Sequence, residues 1–399
     1  MPLFVIYNPV CGSGSAKSLV DNQVLPTLEK HNVTIDGVSA TEYTGHAGFL
    51  VADYLKQNPS NVTIVLASGD GTLHEILNHI LPHTSQTVHQ VLNTLPRISF
   101  VLVPAGTANA LYSSLFPPAK PGDITASEYR LQSLHAYLSG KDGIPLTLSV
   151  TTLVPTPGSR EVPRIVISSV VTSTSLHAAI LHDSEALRNE MPGIERFKVA
   201  AQQNSKRWYN ASVKLLPSSS ATVQIYDQLS HRFVNHPEST PENSIVELGG
   251  PFVYFLSTVN VDRLEPEFRI TPLARALPSN GATCDIIIVR PLRDPSSDGD
   301  NIGARDQYID KIWKVMGGAY ADGAHVYLRY NRNGEVVGDG TGPLVVEYIR
   351  CGGWEWIPGD DDRAHLLCSD GGISTIEDGG GAVSLAIAPG ADAGIMVYG

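Results

Sequence analysis

The chain opens on a short apolar run, Leu3–Tyr7, and returns to such runs at 62–66 and 98–103. Between and after them, apolar residues recur at helical spacing over 16–30, 44–57, 72–81 and 107–116. Runs apolar on consecutive positions predict strands buried on both faces, and the 3.6-residue spacing predicts helices that cover them. Strand and helix in regular succession point to a parallel sheet with crossover connections, a Rossmann-like α/β domain. Beyond about residue 145 the texture changes to short β-rich runs at 146–153, 164–172, 221–226, 252–258, 285–290, 326–330 and 344–350. The polar stretches between them, "VPTPGSREVP", "LPSSSA", "NHPESTPEN" and "DPSSDGD", read as hairpin loops. An antiparallel β-sandwich is expected there, interrupted by helical stretches near 183–206 and 305–316.

Each strand of the first part ends in small residues. In "YNPVCGSGSAKS", residues 7–18, Gly12 and Gly14 stand between a strand and a helix, the geometry that aims backbone N–H groups at phosphate. The loop fits neither common template. A Walker loop needs glycines where Cys11 and Ala16 stand, and a dinucleotide fingerprint needs one at Lys17. In "LASGDGTLHEILNHIL", residues 66–81, the turn is Ser68-Gly69-Asp70-Gly71-Thr72. Gly69 and Gly71 allow backbone to approach a phosphate, and Asp70 is a base or metal contact, or else the N-cap of a plain tight turn. In "VLVPAGTANALYSSL", residues 101–115, the chain turns again at 104–107. Three such loops at carboxyl ends of strands face one crevice, where open α/β sheets bind ligands.

Composition narrows the function. A net charge of −12 with no dense Lys/Arg block excludes a general nucleic-acid binder. The four cysteines are scattered, fitting neither a zinc site nor a disulfide framework, so a reducing, cytoplasmic setting is expected. The start lacks a basic, signal-like segment, and no 18-residue uncharged apolar run occurs.

"NPVCGSG", "SGDGTLHE" followed by Asn78, and "VPAGTANAL", in this order, resemble the catalytic domain shared by diacylglycerol kinases, sphingosine kinases and ceramide kinases. Their wording is nearest the sphingosine and ceramide kinase branch. The resemblance is dense over 1–116 and continues in "HDSEALRNEMPGIERF", residues 182–197. It implies an α/β domain over 1–142, a lipid-binding β-sandwich over 143–389, and a return of 390–399 to the first domain. It also implies an ATP- and Mg²⁺-dependent kinase that phosphorylates a lipid hydroxyl, with peripheral access to a membrane surface. On this resemblance Asn8, Gly12, Thr41, Ser68, Gly69, Glu75, Gly106 and Thr107 contact the nucleotide, Gly14, Gly71 and Thr72 complete the same loops, and Asp70 is the catalytic carboxylate. Asp183 holds the lipid head, and Arg196, helped by Arg188, reaches the phosphates; Lys17 is a further candidate cation.

One departure stands out. The family's Asp-Gly-Glu turn is matched best by "HLLCSDGGIS", residues 365–374, which keeps Asp370 for the nucleotide site but has Gly372 where the glutamate belongs. "RNGEVVGDG", residues 332–340, is the competing match. Two other readings stay open: an NAD kinase-like enzyme, which shares the Gly-Asp-Gly-Thr turn, and a catalytically weak lipid- or nucleotide-binding regulator. His74, His177 and His182 are read as packing or surface residues, and Asp360 to Asp362 as a solvated turn. The stripe Ile309, Ile312, Trp313 and Met316 is read as core, with a membrane-facing helix as the alternative.

Overall fold

The computed structural model describes residues 2–82, 85–191, 193, 195–218, 222–338, 340–390 and 393–399. The first sheet carries β1 (Leu3–Tyr7), β2 (Gly37–Ala40), β3 (Val62–Ser68) and β4 (Ile98–Pro104) in the spatial order β2-β1-β3-β4, all parallel. The alternation along the strands sorts the core into two layers. Phe4, Ile6, Ile64, Leu66, Phe100 and Leu102 face α1 (His46–Gln57) and α2 (Asp70–Ile80). Leu3, Val5, Val65, Ala67, Val101 and Val103 face the helical segment 16–30, whose middle turn, Val20–Val24, is a π-helix. Both faces are covered, so these strands are apolar throughout. The strand Ile395–Val397 extends the sheet beside β4, with Ile395 opposite Ile98.

Most of the rest of the chain forms two antiparallel sheets, one of eight strands and one of six, with a separate two-stranded sheet of Arg329–Tyr330 and Val336–Val337. Between the two large sheets Phe252, Phe255, Trp354 and Trp356 stack with Val213, Ile286, Ile288 and Ile349 in a second core. The expected α/β plus β-sandwich class is present. Several sequence expectations are corrected in detail. The run 164–172 is two strands, Arg164–Ser168 in the six-stranded sheet and Val171–Thr174 in the eight-stranded one, so a sheet-switching turn replaces a continuous strand. The run 326–330 is a helical turn, Ala324–Tyr327, followed by a two-residue strand. Ala221, the start of the 221–226 run, lies outside the described residues, and the strand there is Gln224–Asp227.

Helices interrupt the sandwich strands. The 183–206 stretch is α4 (Ser175–Ala186) and α5 (Glu195–Asn204), which follow α3 (Ala110–Leu115) in the chain. The 305–316 stretch is α6 (Ile302–Tyr320). It buries Tyr308, Ile312, Val315 and Ala319, while Ile309, Trp313 and Met316 are half-buried at its flank; the core reading therefore holds with the stripe rotated. Among the described residues no helix is long and apolar enough to cross a membrane.

Candidate active site

The chain leaves β1 toward β2 on one side and comes back to β3 on the other, so the loops after β1 and β3 diverge and open a crevice between them. Asn8 continues the ladder by donating its N–H to the Ala67 carbonyl at 3.1 Å. Its side-chain Nδ2 reaches Thr72 Oγ1 at 3.3 Å, and Thr72 Oγ1 lies 2.5 Å from Ser68 Oγ. These three residues lace the two loops together.

The glycines are explained by contact. Gly12 has φ +52°, and a Cβ there would lie 2.3 Å from the Ala105 carbonyl oxygen. A Cβ on Gly106 would lie 2.5 Å from Gly69 Cα. The loops after β1, β3 and β4 thus touch through backbone, at a spacing that only glycine allows. Asn109, itself left-handed at φ +52°, holds Gly106 from both sides: it accepts from the Gly106 N–H at 2.9 Å and donates to its carbonyl at 2.8 Å. Gly14 is also left-handed (φ +74°) and donates to the Cys11 carbonyl at 2.8 Å. Gly71 and Thr107 are exposed on the rim.

Asp70 opens α2 and crosses the crevice to α3, where it accepts hydrogen bonds from the N–H groups of Ala110 at 2.6 Å and Leu111 at 3.2 Å. Burial pushes its pKa up to about 6; the two amides pull against that rise, and the nearby charge of Asp370 adds to it. At neutral pH Asp70 is an ionised carboxylate of unusual basicity. Ser68, Gly69, Pro104, Asn109 and Leu111 line the crevice around it. Thr41 is buried beyond β2 and donates its N–H to the Tyr7 carbonyl at 2.9 Å, while Glu75 accepts from the Gly45 N–H at 3.0 Å.

The remaining sequence candidates lie apart from this crevice lining. Asp183 accepts from Arg363 Nη1 at 2.6 Å and Asn204 Nδ2 at 2.8 Å, with His182 Nδ1 also at 2.8 Å. Burial alone would raise its pKa, but these partners hold it below the usual carboxylate value. Arg188 pairs with Glu185 at 2.7 Å on the surface, and buried Arg196 lays its guanidinium 4.5 Å from the Phe197 ring centroid. Lys17 pairs with Asp21 at 2.5 Å in the open.

Asp370, at φ +47°, has its carboxylate committed to the main chain: it accepts from the N–H groups of Ser169 at 2.7 Å, Val170 at 3.0 Å and Val171 at 2.8 Å. It therefore fastens the turn at which the chain switches sheets. His74, one turn after Asp70, stands with Nδ1 3.7 Å from Asp370, and a Cβ on Gly372 would lie 3.5 Å from its Nε2. Asn78, one further turn along, both donates to and accepts from the Ile167 backbone at 2.8 Å. Sequence reasoning leaves the roles of Asn78 and Asn109 unassigned and reads His74 as a packing or surface residue, whereas its ring stands beside Asp370. The available signal is the spacing 70, 74, 78, which puts three polar side chains on one stripe of a helix.

Residues 2–136 match the diacylglycerol kinase catalytic domain. Sphingosine kinase 1 of Arabidopsis thaliana is 30% identical over 118 residues, covering 29% of this chain and 22% of that protein. Mouse (Mus musculus) mitochondrial acylglycerol kinase is 30% identical over 112 residues, covering 28% of this chain and 24% of that protein. Sphingoid long chain base kinase 5 of Saccharomyces cerevisiae is 32% identical over 109 residues, 27% of this chain and 15% of that protein. The matched stretch thus spans less than a quarter of the length of each relative. Over nearly the whole length the fold is similar to that of a Bacillus anthracis protein solved as a candidate diacylglycerol kinase, with a TM-score of 0.52 and 13% identity, covering 96% of this chain and 92% of that one. The first third of the chain is thus similar to the diacylglycerol kinase catalytic domain and to the matching stretch of these lipid kinases.

Proposed function

We propose that this protein is an ATP-dependent lipid kinase that transfers the γ-phosphoryl group to a primary hydroxyl of a sphingoid base, ceramide or diacylglycerol-like lipid. The observation that carries this reading is Asp70, a carboxylate with its pKa raised to about 6, set where three backbone-lined glycine loops meet. Phosphoryl transfer needs mainly positioning and charge stabilisation, with a base beside the attacking hydroxyl. Asp70 takes the hydroxyl proton as the bond to phosphorus forms; the Ala110 and Leu111 amides fix the direction of its oxygens. The backbone N–H groups around Gly12 and Gly69 hold the phosphates, and Asn109 fixes the Gly106 turn beside them.

The donor set fits a metal that arrives with the nucleotide. Among the described residues no cluster of three or more metal-ligating side chains exists, and Mg²⁺ commonly relies on one or two carboxylates plus phosphate oxygens and water. When bound, it supplies charge neutralisation on the phosphates, and Asp70 is the carboxylate of the crevice that can face it. The sandwich domain takes the lipid, with Asp183 facing its polar head; Arg188, paired with Glu185, and Arg196, laid on Phe197, lie apart from the crevice lining and are given no part in holding the phosphates. Acyl chains require peripheral contact with a membrane. Release of ADP from MgATP, followed across sphingoid bases, ceramides and acylglycerols, tests the reading: turnover on one of these lipids and its loss in Asp70→Asn support it, and turnover on none of them contradicts it.

A further inference from the structure

The helix α3 is six residues long, and its two ends are held by different parts of the molecule. At its start the N–H groups of Ala110 and Leu111 bind the Asp70 carboxylate. In its middle the Tyr112 hydroxyl donates to the Tyr129 carbonyl and accepts from the Gln132 N–H at 3.2 Å, which ties the helix to the α/β domain. At its end Ser114 meets the chain that leaves the sandwich strand Tyr254–Thr258. The Asp262 N–H donates to Ser114 Oγ at 3.2 Å, and Arg275 Nη1 donates to the Ser114 carbonyl at 3.0 Å.

Both sides of this joint are stiff. Asp262 is 1% exposed, and its carboxylate accepts from Arg263 Nε at 2.9 Å and Nη2 at 3.1 Å and from Arg269 Nε at 2.9 Å. Its carbonyl accepts from the Thr271 N–H at 3.0 Å, which closes the loop just before the helical turn Leu273–Ala276 that carries Arg275. On the other side every residue from Ala110 to Ser114 is buried, and at 1.5 Å per residue Ser114 lies about 6 Å along the helix axis from Ala110. Arg275 reaches a carbonyl of the last turn, where a helix lacks internal donors and favours a positive charge. A shift of the sandwich against the α/β domain therefore moves α3, and with it the two amides that aim the Asp70 oxygens.

Resting on the kinase reading above, in which the sandwich takes the lipid, we infer that Ser114 and Arg275 are positioning residues: through α3 they tie the direction of the Asp70 carboxylate to the placement of the lipid-bearing domain. Base and acceptor hydroxyl are thereby held in one frame, although they belong to different domains. Transfer depends steeply on such alignment, and a misplacement of about 1 Å costs on the order of 10²-fold in rate. The phosphates lie on the loops after β1 and β3, so ATP affinity does not pass through this joint.

The test follows turnover of MgATP by the full chain on the acceptor found among sphingoid bases, ceramides and acylglycerols, with urea unfolding of each variant beside it. Arg275 is exposed, so Arg275→Ala folds as the wild type does. Its kcat is expected to fall about tenfold while the KM for MgATP and the urea midpoint keep their wild-type values. Arg275→Lys keeps a cationic donor and recovers most of the loss. Ser114→Ala leaves the buried Asp262 N–H without its acceptor and lowers kcat in the same way, again with the MgATP KM unchanged. Wild-type kcat in Arg275→Ala, or a loss that only tracks the fraction of unfolded protein, overturns the assignment while leaving the kinase reading intact. Absence of turnover on every lipid by the wild-type protein overturns the kinase reading, and this assignment with it.

Discussion

Replacing Asp70 by asparagine tests the electrostatics of the site through stability as well as activity. Folding moves the Asp70 pKa from 3.8 to about 6, so the folded state holds a proton that the unfolded chain has already released across that interval. The sign follows: the unfolded state binds fewer protons there, and wild-type stability falls as pH rises from 3.8 to about 6, then stays level with respect to this group. The difference is about 2.2 units, which at 1.36 kcal/mol per unit amounts to on the order of 3 kcal/mol. An asparagine side chain is neutral at every pH and carries no such penalty. The stability advantage of Asp70→Asn over wild type should therefore be small at pH 4.5 and grow by about 2 kcal/mol by pH 7.5. Urea unfolding at pH 4.5, 6 and 7.5 reads this directly, and the variant should be inactive throughout. An advantage that does not change between pH 4.5 and 7.5 would refute the reasoning, because it would mean that the site does not disfavour the charged carboxylate.

Gly106→Ala places a methyl 2.5 Å from Gly69 Cα, backbone against backbone, and should destabilise the protein by about 1–3 kcal/mol and abolish ATP binding; calorimetry showing native affinity would contradict the loop contact. Asp183→Ala removes the acceptor shared by Arg363, Asn204 and His182 and should raise the lipid KM roughly tenfold or more with little change in the ATP KM; equal changes in both would place Asp183 outside the lipid site. Gly372 is exposed, and a Cβ there would point toward His74 Nε2 at 3.5 Å, so Gly372→Glu should fold normally and raise the rate at low Mg²⁺; no gain in a titration of Mg²⁺ would show that the departure from the Asp-Gly-Glu pattern has no consequence.

The legible part of the fold is the part specified by near neighbours. Strands such as Val62–Ser68 and Ile98–Pro104 are buried at every position, and the helix Asp70–Ile80 follows a glycine turn, so periodicity and turn chemistry agree. The strand Gly37–Ala40 escapes the hydrophobic pattern because it is a half-exposed edge of four small or weakly apolar residues. The break between Arg164–Ser168 and Val171–Thr174 is easily missed in the pattern because only Ser168-Ser169, with no Gly or Pro, interrupts the β-rich run; the turn is held by Asp370, about 200 residues away in sequence. The same distinction applies to the site. Gly12, Ser68, Gly69, Asp70 and Gly106 declare themselves by composition at strand ends. That the Asp370 carboxylate is spent on the amides of residues 169–171, and that Asp183 is joined to Arg363, depends on contacts between distant segments.

The most direct test of the central claim is transfer of ³²P from labelled MgATP by the purified chain, offered sphingoid bases, ceramides, acylglycerols and NAD in parallel. The account predicts a labelled lipid monophosphate from at least one of the lipids, no labelled NADP, and loss of the product in Asp70→Asn. Label appearing in NADP, or lipid labelling that survives Asp70→Asn, would contradict it.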